Sequence, residues 1–285
     1  MMSERVFPPL GILSLATYCK HKGFNVVVHD NATANDVEKL SPADIFGLSC
    51  TTPQYTEALN IKKKIRHLYP ESRIVIGGAH CSGFLQTCKN DNWDSIVIGE
   101  GEEAFYKLLQ DYQKNRIQSV YQEPYLNIDT LPIPDRSFID IGQYRYERDG
   151  KRFTTMMTSR GCPFSCAFCS SIWGKKYRYR KSELVKKEID YLVDELKFDG
   201  IMFVDDVIND AVLSWRILKD GGILIFDDYG WGIHTTDEKQ KPKLAIDAFM
   251  SAYQGHYQLL EAGWQVFLKK LHYEYSKEEL EANYQ

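Results

Sequence analysis

Over residues 9–112 the chain alternates between two hydrophobic patterns. Short β-branched runs are separated by stretches whose apolar residues recur at helical spacing. Residues 9–22 (PLGILSLATYCKHK) predict a helix with Leu10, Leu13 and Thr17 on one side, ended by Gly23. FNVVVHD (24–30) predicts a buried strand, and ADIFGLSC (43–50) a second one. Thr51 or Thr52 then caps a helix carrying Ala58, Ile61, Ile65 and Leu68. SRIVIGGAH (72–80) reads as a strand ending in Gly-Gly, followed by a short helix over 81–89. DSIVIGEGEEAFYKLLQDY (94–112) reads as strand, glycine turn and helix.

Strands alternating with helices imply a parallel sheet covered on both faces, a Rossmann-like doubly wound α/β arrangement. Ligands of such sheets sit beyond the carboxyl ends of the strands. Here those ends carry Ser49, Gly77, Gly78, Gly99 and Gly101. Glycine there lets backbone approach a ligand closely. Tight βα turns alone would also explain the glycines.

The pattern breaks over 120–150. LPIPDRSFID has two prolines and no period, which predicts a linker. KRFTTMMTSR (151–160) is strand-like, SELVKKEIDYLVDELK (182–197) is an amphipathic helix with Ser182 as N-cap and Gly200 beyond its end, and GIMFVDD (200–206) is again a strand. Between the first strand and the helix lie RGCPFSCAFCSS and the basic, tyrosine-interleaved GKKYRYRK (174–181). The latter reads as a solvated loop-to-helix entrance, with contact to an anionic substrate or nucleic acid as the alternative.

Composition adds two constraints. The net charge of -4 weighs against a dedicated nucleic-acid binder, and no apolar run is long enough to span a bilayer. The N-terminus lacks a basic region ahead of its apolar part, so the expected location is cytoplasmic. The cysteine count of 7 is odd and does not suggest a disulfide framework. Cys19, Cys50, Cys81 and Cys88 sit in apolar or helix-like surroundings and read as buried free thiols.

Cys162, Cys166 and Cys169 are different: their spacing is C-x3-C-x2-C. A closed zinc site needs a fourth ligand, and no second cysteine pair or paired histidines accompany these three. A redox pair of Cys166 and Cys169 would leave Cys162 without a role. Three thiolates suit a cubane iron–sulfur cluster with one iron open for chemistry.

CPFSCAFC, with TSRG before it and SSIWGKKYRYRK after it, resembles the signature of radical S-adenosylmethionine enzymes. The resemblance implies a 4Fe-4S cluster on Cys162, Cys166 and Cys169, with S-adenosylmethionine on the open iron and Phe168 near its adenine. It implies a loop after the first strand of a (βα) barrel, Asp205 and Asp206 near the cofactor, and an electron donor such as flavodoxin or ferredoxin. PPLGILSLATYCKHKGFNVVVHD, IVIGGAHCSGF and IVIGEGEEAF resemble the cobalamin-binding domain that precedes many such enzymes, and LPIPDR resembles the linker between the two. This implies cobalamin at Ser49, Gly77, Gly78, Gly99 and Gly101. The first strand of that domain is missing or shrunk to ERVF, and no D-x-H-x-x-G motif supplies a histidine for cobalt.

After Asp210 the expected barrel does not continue. AVLSWRILKDGGILIFDDYGW, PKLAIDAFMSAYQ and YQLLEAGWQVFLKK resemble the last third of class I S-adenosylmethionine-dependent methyltransferases: helix, buried strand, helix, then an antiparallel pair across Gly263. The glycine-rich nucleotide loop of that family is absent. Asp227, Asp228 and His234 carry metal-ligand chemistry but are not expected to form a metal site. The predicted organisation is a cobalamin-binding-type domain over 1–125, a linker and truncated radical domain over 126–210, and a methyltransferase-like tail over 211–285. The buried strand GGILIFDD is expected to pair with FTTMMTSR and GIMFVDD in a hybrid sheet. A radical S-adenosylmethionine protein acting on a small-molecule substrate leads; a methyltransferase fragment and a non-catalytic ligand-binding remnant are the alternatives.

Overall fold

The computed structural model describes residues 6–148, 150–161, 172–204, 218–226, 229, 246–247, 250–251 and 253–272. The chain divides into two compact units. One comprises Pro8–Tyr144 and Arg160–Tyr179; the other comprises Met1–Phe7, Arg145–Ser159 and Arg180–Gln285.

The first unit is built on a four-stranded parallel sheet of β1 (Ile45–Ser49), β2 (Arg73–Gly77), β3 (Ser95–Val97) and β4 (Val120–Tyr121), in that order. β2 is central and apolar on both sides. Ile74 and Ile76 pack with Tyr55, Ala58 and Ile65 of α2 (Tyr55–Leu68), with Cys81 of α3 (Ala79–Gly83) and with Cys88 of α4 (Leu85–Asn90). Val75 faces the other way. It joins Cys19 of α1 (Leu10–His21) and Ala104, Leu108 and Leu109 of α5 (Gly101–Gln113). An alternating strand covered on both faces is what a continuous β-branched run dictates.

Local signals fix several boundaries. α1 ends at His21 with Lys22 as its C-cap, and Gly23 takes φ +90°, as its position predicts. Thr51 and Gln54 form a reciprocal capping box ahead of α2. The helix expected over 81–89 starts earlier and is broken at Phe84 into α3 and α4.

Two expectations fail here. Val120–Tyr121, where the sequence predicts no strand, forms the fourth strand. Two residues are too few to show a period, but the backbone of Ile98 donates to Tyr121 O at 3.0 Å. FNVVVHD is not a strand: residues 24–30 form no ladder among the described residues. Phe24 and Val26 lie against the core with Ile45, while Val27 is 69% exposed. The reason is pairing. β1 has β2 on one side and no described strand on the other, so the run has apolar cover on one face but no backbone partners.

The second unit holds two three-stranded sheets. In one, β5 (Tyr146–Arg148) pairs antiparallel with β6 (Lys151–Met156), and β6 pairs parallel with β7 (Gly200–Phe203). Gly200 lies opposite Phe153, whose ring would be 2.2 Å from any Cβ there. α6 (Ser182–Asp190) runs on into a π turn over Tyr191–Glu195, and Lys197 follows in the left-handed region at φ +61°. Lys181, not Ser182, occupies the N-cap position, and it makes no side-chain cap bond.

In the other sheet, β8 (Ile223–Phe226) and β9 (Tyr257–Ala262) flank β10 (Val266–Lys270), all antiparallel. This corrects the expected hybrid sheet. The ladder of Ile223–Phe226 runs to β10 of the tail itself, and among the described residues none joins it to β6 or β7. The two sheets share side chains instead: Ile223, Ile225 and Phe267 pack with Phe153 and Met202. No helix among the described residues is long and apolar enough to cross a membrane.

Candidate functional site

The carboxyl ends of β1, β2 and β3 bring together Ser49, Gly77, Gly78 and Gly99, with Gly101 opening α5. Gly78 has φ +93°, and a Cβ there would lie 2.8 Å from both Cys50 O and Ser49 Oγ. Only glycine permits that approach. Gly99 has φ +76°, and a Cβ there would meet nothing within 4 Å. The two glycine turns are joined by Ser82, whose hydroxyl donates to Gly78 O at 3.2 Å and accepts from Gly99 N at 3.0 Å.

Beside this edge, His80 is buried and stacked on Tyr55, ring centroids 3.9 Å apart, with Phe84 on its other side at 5.1 Å. Its Nδ1 meets Thr52 Oγ1 at 3.2 Å, while Nε2 is buried without a partner in the structure. An orphaned buried nitrogen costs about 1–3 kcal/mol. Neither Ser82 nor His80 was singled out from the sequence, although both sit in the quoted GGAHCSG.

The four scattered cysteines are buried free thiols. Burial pushes Cys19 up to about 12 and Cys50 up to about 11, and raises Cys81, which also lies against Cys88 at 3.5 Å between sulfurs. A thiol must ionise to bind metal or attack, so Cys19, Cys50 and Cys81 are packing residues at neutral pH.

The GEGE turn holds more than glycine. Glu100 and Glu102 are 3% and 4% exposed. Glu102 grips Arg160 with both oxygens, at 2.7 Å to Nη2 and 3.2 Å to Nη1, and accepts from Ser14 Oγ at 2.6 Å. Glu100 grips Arg178 with both oxygens, at 2.5 and 3.0 Å, and accepts from Leu126 N at 3.1 Å. Arg160 Nη1 also lies 3.7 Å from Glu100. Trp173 stacks on the Arg160 guanidinium at 4.5 Å, and its carbonyl accepts from Arg178 Nη2 at 3.1 Å. Two-pronged pairs of this kind are the strong form of the interaction.

Burial pushes the Glu102 carboxyl up, but Arg160 and the hydroxyl of Ser14 outweigh it and hold it below its ordinary 4.5. A lowered carboxyl stabilises the fold above its unfolded value. The contribution is lost as pH falls through the lowered folded value, in the window below about 4.5.

These contacts revise the reading of GKKYRYRK. Its Tyr179 is exposed, as a solvated entrance requires, but Arg178 is partly buried on the buried Glu100, and in the second unit Arg180 is buried on Glu188. Arg180 N also donates to Thr158 O at 2.8 Å.

Cys162, Cys166, Cys169, Phe168, Asp205 and Asp206 lie outside the described residues, as do Asp227, Asp228 and His234. Among the described residues no cluster of three histidine, cysteine or acidic side chains could hold a metal ion. What the structure does describe is the approach to the cysteine segment. Gly161 has φ +89°, and a Cβ there would lie 2.2 Å from Lys176 O.

Residues 3–109 match the B12 binding domain family. The chain is 29% identical over 245 residues to an uncharacterized methyltransferase of Pyrococcus horikoshii, covering 75% of this chain and 53% of that one. It is 28% identical over 273 residues to the anaerobic magnesium-protoporphyrin IX monomethyl ester cyclase of Rubrivivax gelatinosus, covering 84% and 49%. A hopanoid C-3 methylase of Methylococcus capsulatus is 24% identical over 243 residues, covering 73% and 44%. The chain spans about half the length of the curated relatives it matches. The cobalamin-binding likeness of the N-terminal part is thereby shown, and the parallel sheet of the first unit fits it. An alignment over 84% of the chain also extends the likeness well past residue 109.

Proposed function

We propose that the chain is a cobalamin-dependent radical S-adenosylmethionine protein whose reaction is methyl transfer to a small-molecule substrate. The observation that carries the reading is the C-x3-C-x2-C segment, placed in one chain with a B12-binding match. Methyl transfer is preferred because relatives over both parts are named methyltransferases and a methylase. The proposed division is 1–125 for the cobalamin-binding domain, 126–210 for the linker and radical domain, and 211–285 for a methyltransferase-like tail.

In this reading Cys162, Cys166 and Cys169 hold a 4Fe-4S cluster. The donor set fits: three thiolates leave one iron open, and the other four cysteines are buried free thiols packed into the first unit's core. A reduced cluster held by these thiolates would supply one-electron reductive cleavage of S-adenosylmethionine. Phe168 would contact the adenine of bound S-adenosylmethionine, and Asp205 and Asp206 would help to hold that cofactor. Ser49, Gly77, Gly78, Gly99 and Gly101 border cobalamin. Support for that border is the contrast between Gly78, where backbone closes on backbone, and Gly99, whose open side has room for a ligand. A flavodoxin- or ferredoxin-type donor supplies the electron.

Anaerobic iron and sulfide reconstitution tests this. The expected product is a brown protein with about four irons per chain that releases 5′-deoxyadenosine from S-adenosylmethionine. Iron retained after joint replacement of Cys162, Cys166 and Cys169 by Ala would remove the cluster assignment. Gel filtration with hydroxocobalamin tests the other half: absence of co-eluting corrin absorbance would reduce the first domain to a scaffold.

A further inference from the structure

The carboxylates of the GEGE turn are placed for a task that its glycines do not need. Arg160 precedes Cys162 by one intervening residue, and Trp173 and Arg178 follow Cys169. Glu102 therefore holds the chain entering the cysteine segment, and Glu100 holds the chain leaving it. Trp173 ties the two, because its ring covers Arg160 and its carbonyl takes Arg178. Tyr125 lies on the far face of this clasp, 4.9 Å from the Arg178 guanidinium and 2.4 Å from where a Cβ of Gly174 would sit. Gly161 closes on Lys176 O. Each side of the cysteine segment is thus anchored by a two-pronged charge pair to a buried carboxylate of a single turn.

A pair of buried acids two residues apart at a helix start is a costly way to hold a fold. Taking charges out of water is expensive, and apolar residues of similar volume are often as stabilising. What a two-pronged pair does supply is direction: the guanidinium fork fixes both position and orientation of the chain that carries it.

We propose that Glu100 and Glu102 are positioning residues for the three-cysteine segment. They hold its two ends at a set separation and orientation, so that a cluster on Cys162, Cys166 and Cys169 forms with its open iron accessible to S-adenosylmethionine. This rests on the cluster reading above. The same turn carries Gly99 and Gly101, so one short stretch serves both proposed cofactors, with glycine for cobalamin and carboxylate for the cysteine segment.

The test compares Glu102→Gln and Arg178→Lys with Glu103→Gln, a control on the same helix turn whose carboxylate bonds Tyr18 instead. Arg178→Lys keeps the charge and loses the fork, so it reports even if Glu102→Gln fails to fold. Three quantities are read: iron per reconstituted chain, the change that S-adenosylmethionine makes in the electron paramagnetic resonance of the reduced cluster, and hydroxocobalamin binding. A fourth needs no cofactor: the rate of trypsin cleavage at Arg160, Lys175 and Lys176 in the apoprotein.

The expected result is that both test variants keep cobalamin binding, are cleaved at least about tenfold faster, and either lose at least half the iron or lose the response to S-adenosylmethionine. The control matches wild type. Variants that match wild type in cleavage, iron and spectrum overturn the positioning role alone. Loss of cobalamin together with iron in both variants also overturns it, because that marks a general structural role. A wild-type chain that takes up no iron overturns the cluster reading, and this proposal with it.

Discussion

RIVIG and FNVVVHD are nearly the same kind of sequence, yet only the first is a strand. Both are short, β-branched and close to a helix. In β2, Arg73–Gly77 has a ladder on each side, to β1 and to β3, and Ile74, Val75 and Ile76 are all buried. In 24–30, alternate side chains touch the core, Val27 is exposed and no ladder forms among the described residues. The difference lies in the neighbours. A backbone leaves water for a sheet only where its N–H and C=O groups are paired, and apolar side chains cannot replace those bonds. Strand propensity measures fit of β-branched side chains to a pleated apolar surface, which both segments have. Strand formation needs the partner as well.

The strongest way to break this contrast is to truncate the centre of β2. Ile76 is fully buried among α2, α3 and α4 residues. Ile76→Ala should destabilise the first unit by about 2–5 kcal/mol, the range for a buried Ile reduced to Ala. Urea unfolding followed by the fluorescence of Trp93, which lies in the same cluster, reads it directly. A change below about 1 kcal/mol would mean that β2 is not the centre of that core.

The sequence made the repeating strand, glycine turn and helix of 43–112 legible because each part has a local cause. The helices show period, Thr51 and Gln54 mark a cap, and Gly77–Gly78 mark a turn. What stayed hidden depends on residues far apart in the chain. β4 is too short to carry a pattern. β8 pairs with β10 across a long separation, and its apolar face gives no sign of which strand it will choose. The carboxylates of Glu100 and Glu102 look like the solvated acids of a helix start, since acids are common there. Arg160, Arg178 and Arg180 look like surface cations until their partners are seen. The signal that existed was spacing: two acids bracketing Gly101, and arginines close to both ends of the cysteine segment. At the candidate site, the glycines and Ser49 were read correctly as strand ends, whereas the clasp around the cysteines needed the fold.

A middle-sized effect is expected at Gly78, where the backbone of β2 turns back onto β1. An alanine there must hold φ +93° and place its methyl 2.8 Å from Cys50 O, a backbone atom with little freedom to move. Gly78→Ala should cost about 1–3 kcal/mol, the scale of a strained backbone site. Gly99→Ala has a positive φ but open space, so it should cost less. Thermal unfolding of the two variants side by side separates the close approach from the dihedral strain. Equal losses would show that the contact with Cys50 contributes nothing.

The smallest effect sharpens the comparison most. Val27 is 69% exposed in a run that reads as a buried strand. If 24–30 were a strand buried in a sheet, Val27→Thr would place a hydroxyl in an apolar setting and cost more than 1 kcal/mol. On the structure its side chain already faces water, so the change should lie within about 0.5 kcal/mol. The neighbouring Val26→Thr provides scale, because Val26 packs beside Ile45 and Phe105 and should lose more than Val27→Thr does. Urea midpoints of the two variants, with unchanged denaturant slope, make the measurement. A Val27→Thr loss as large as that of Val26→Thr would show that both faces of the run are covered, and the segment would then be a strand in all but its ladder.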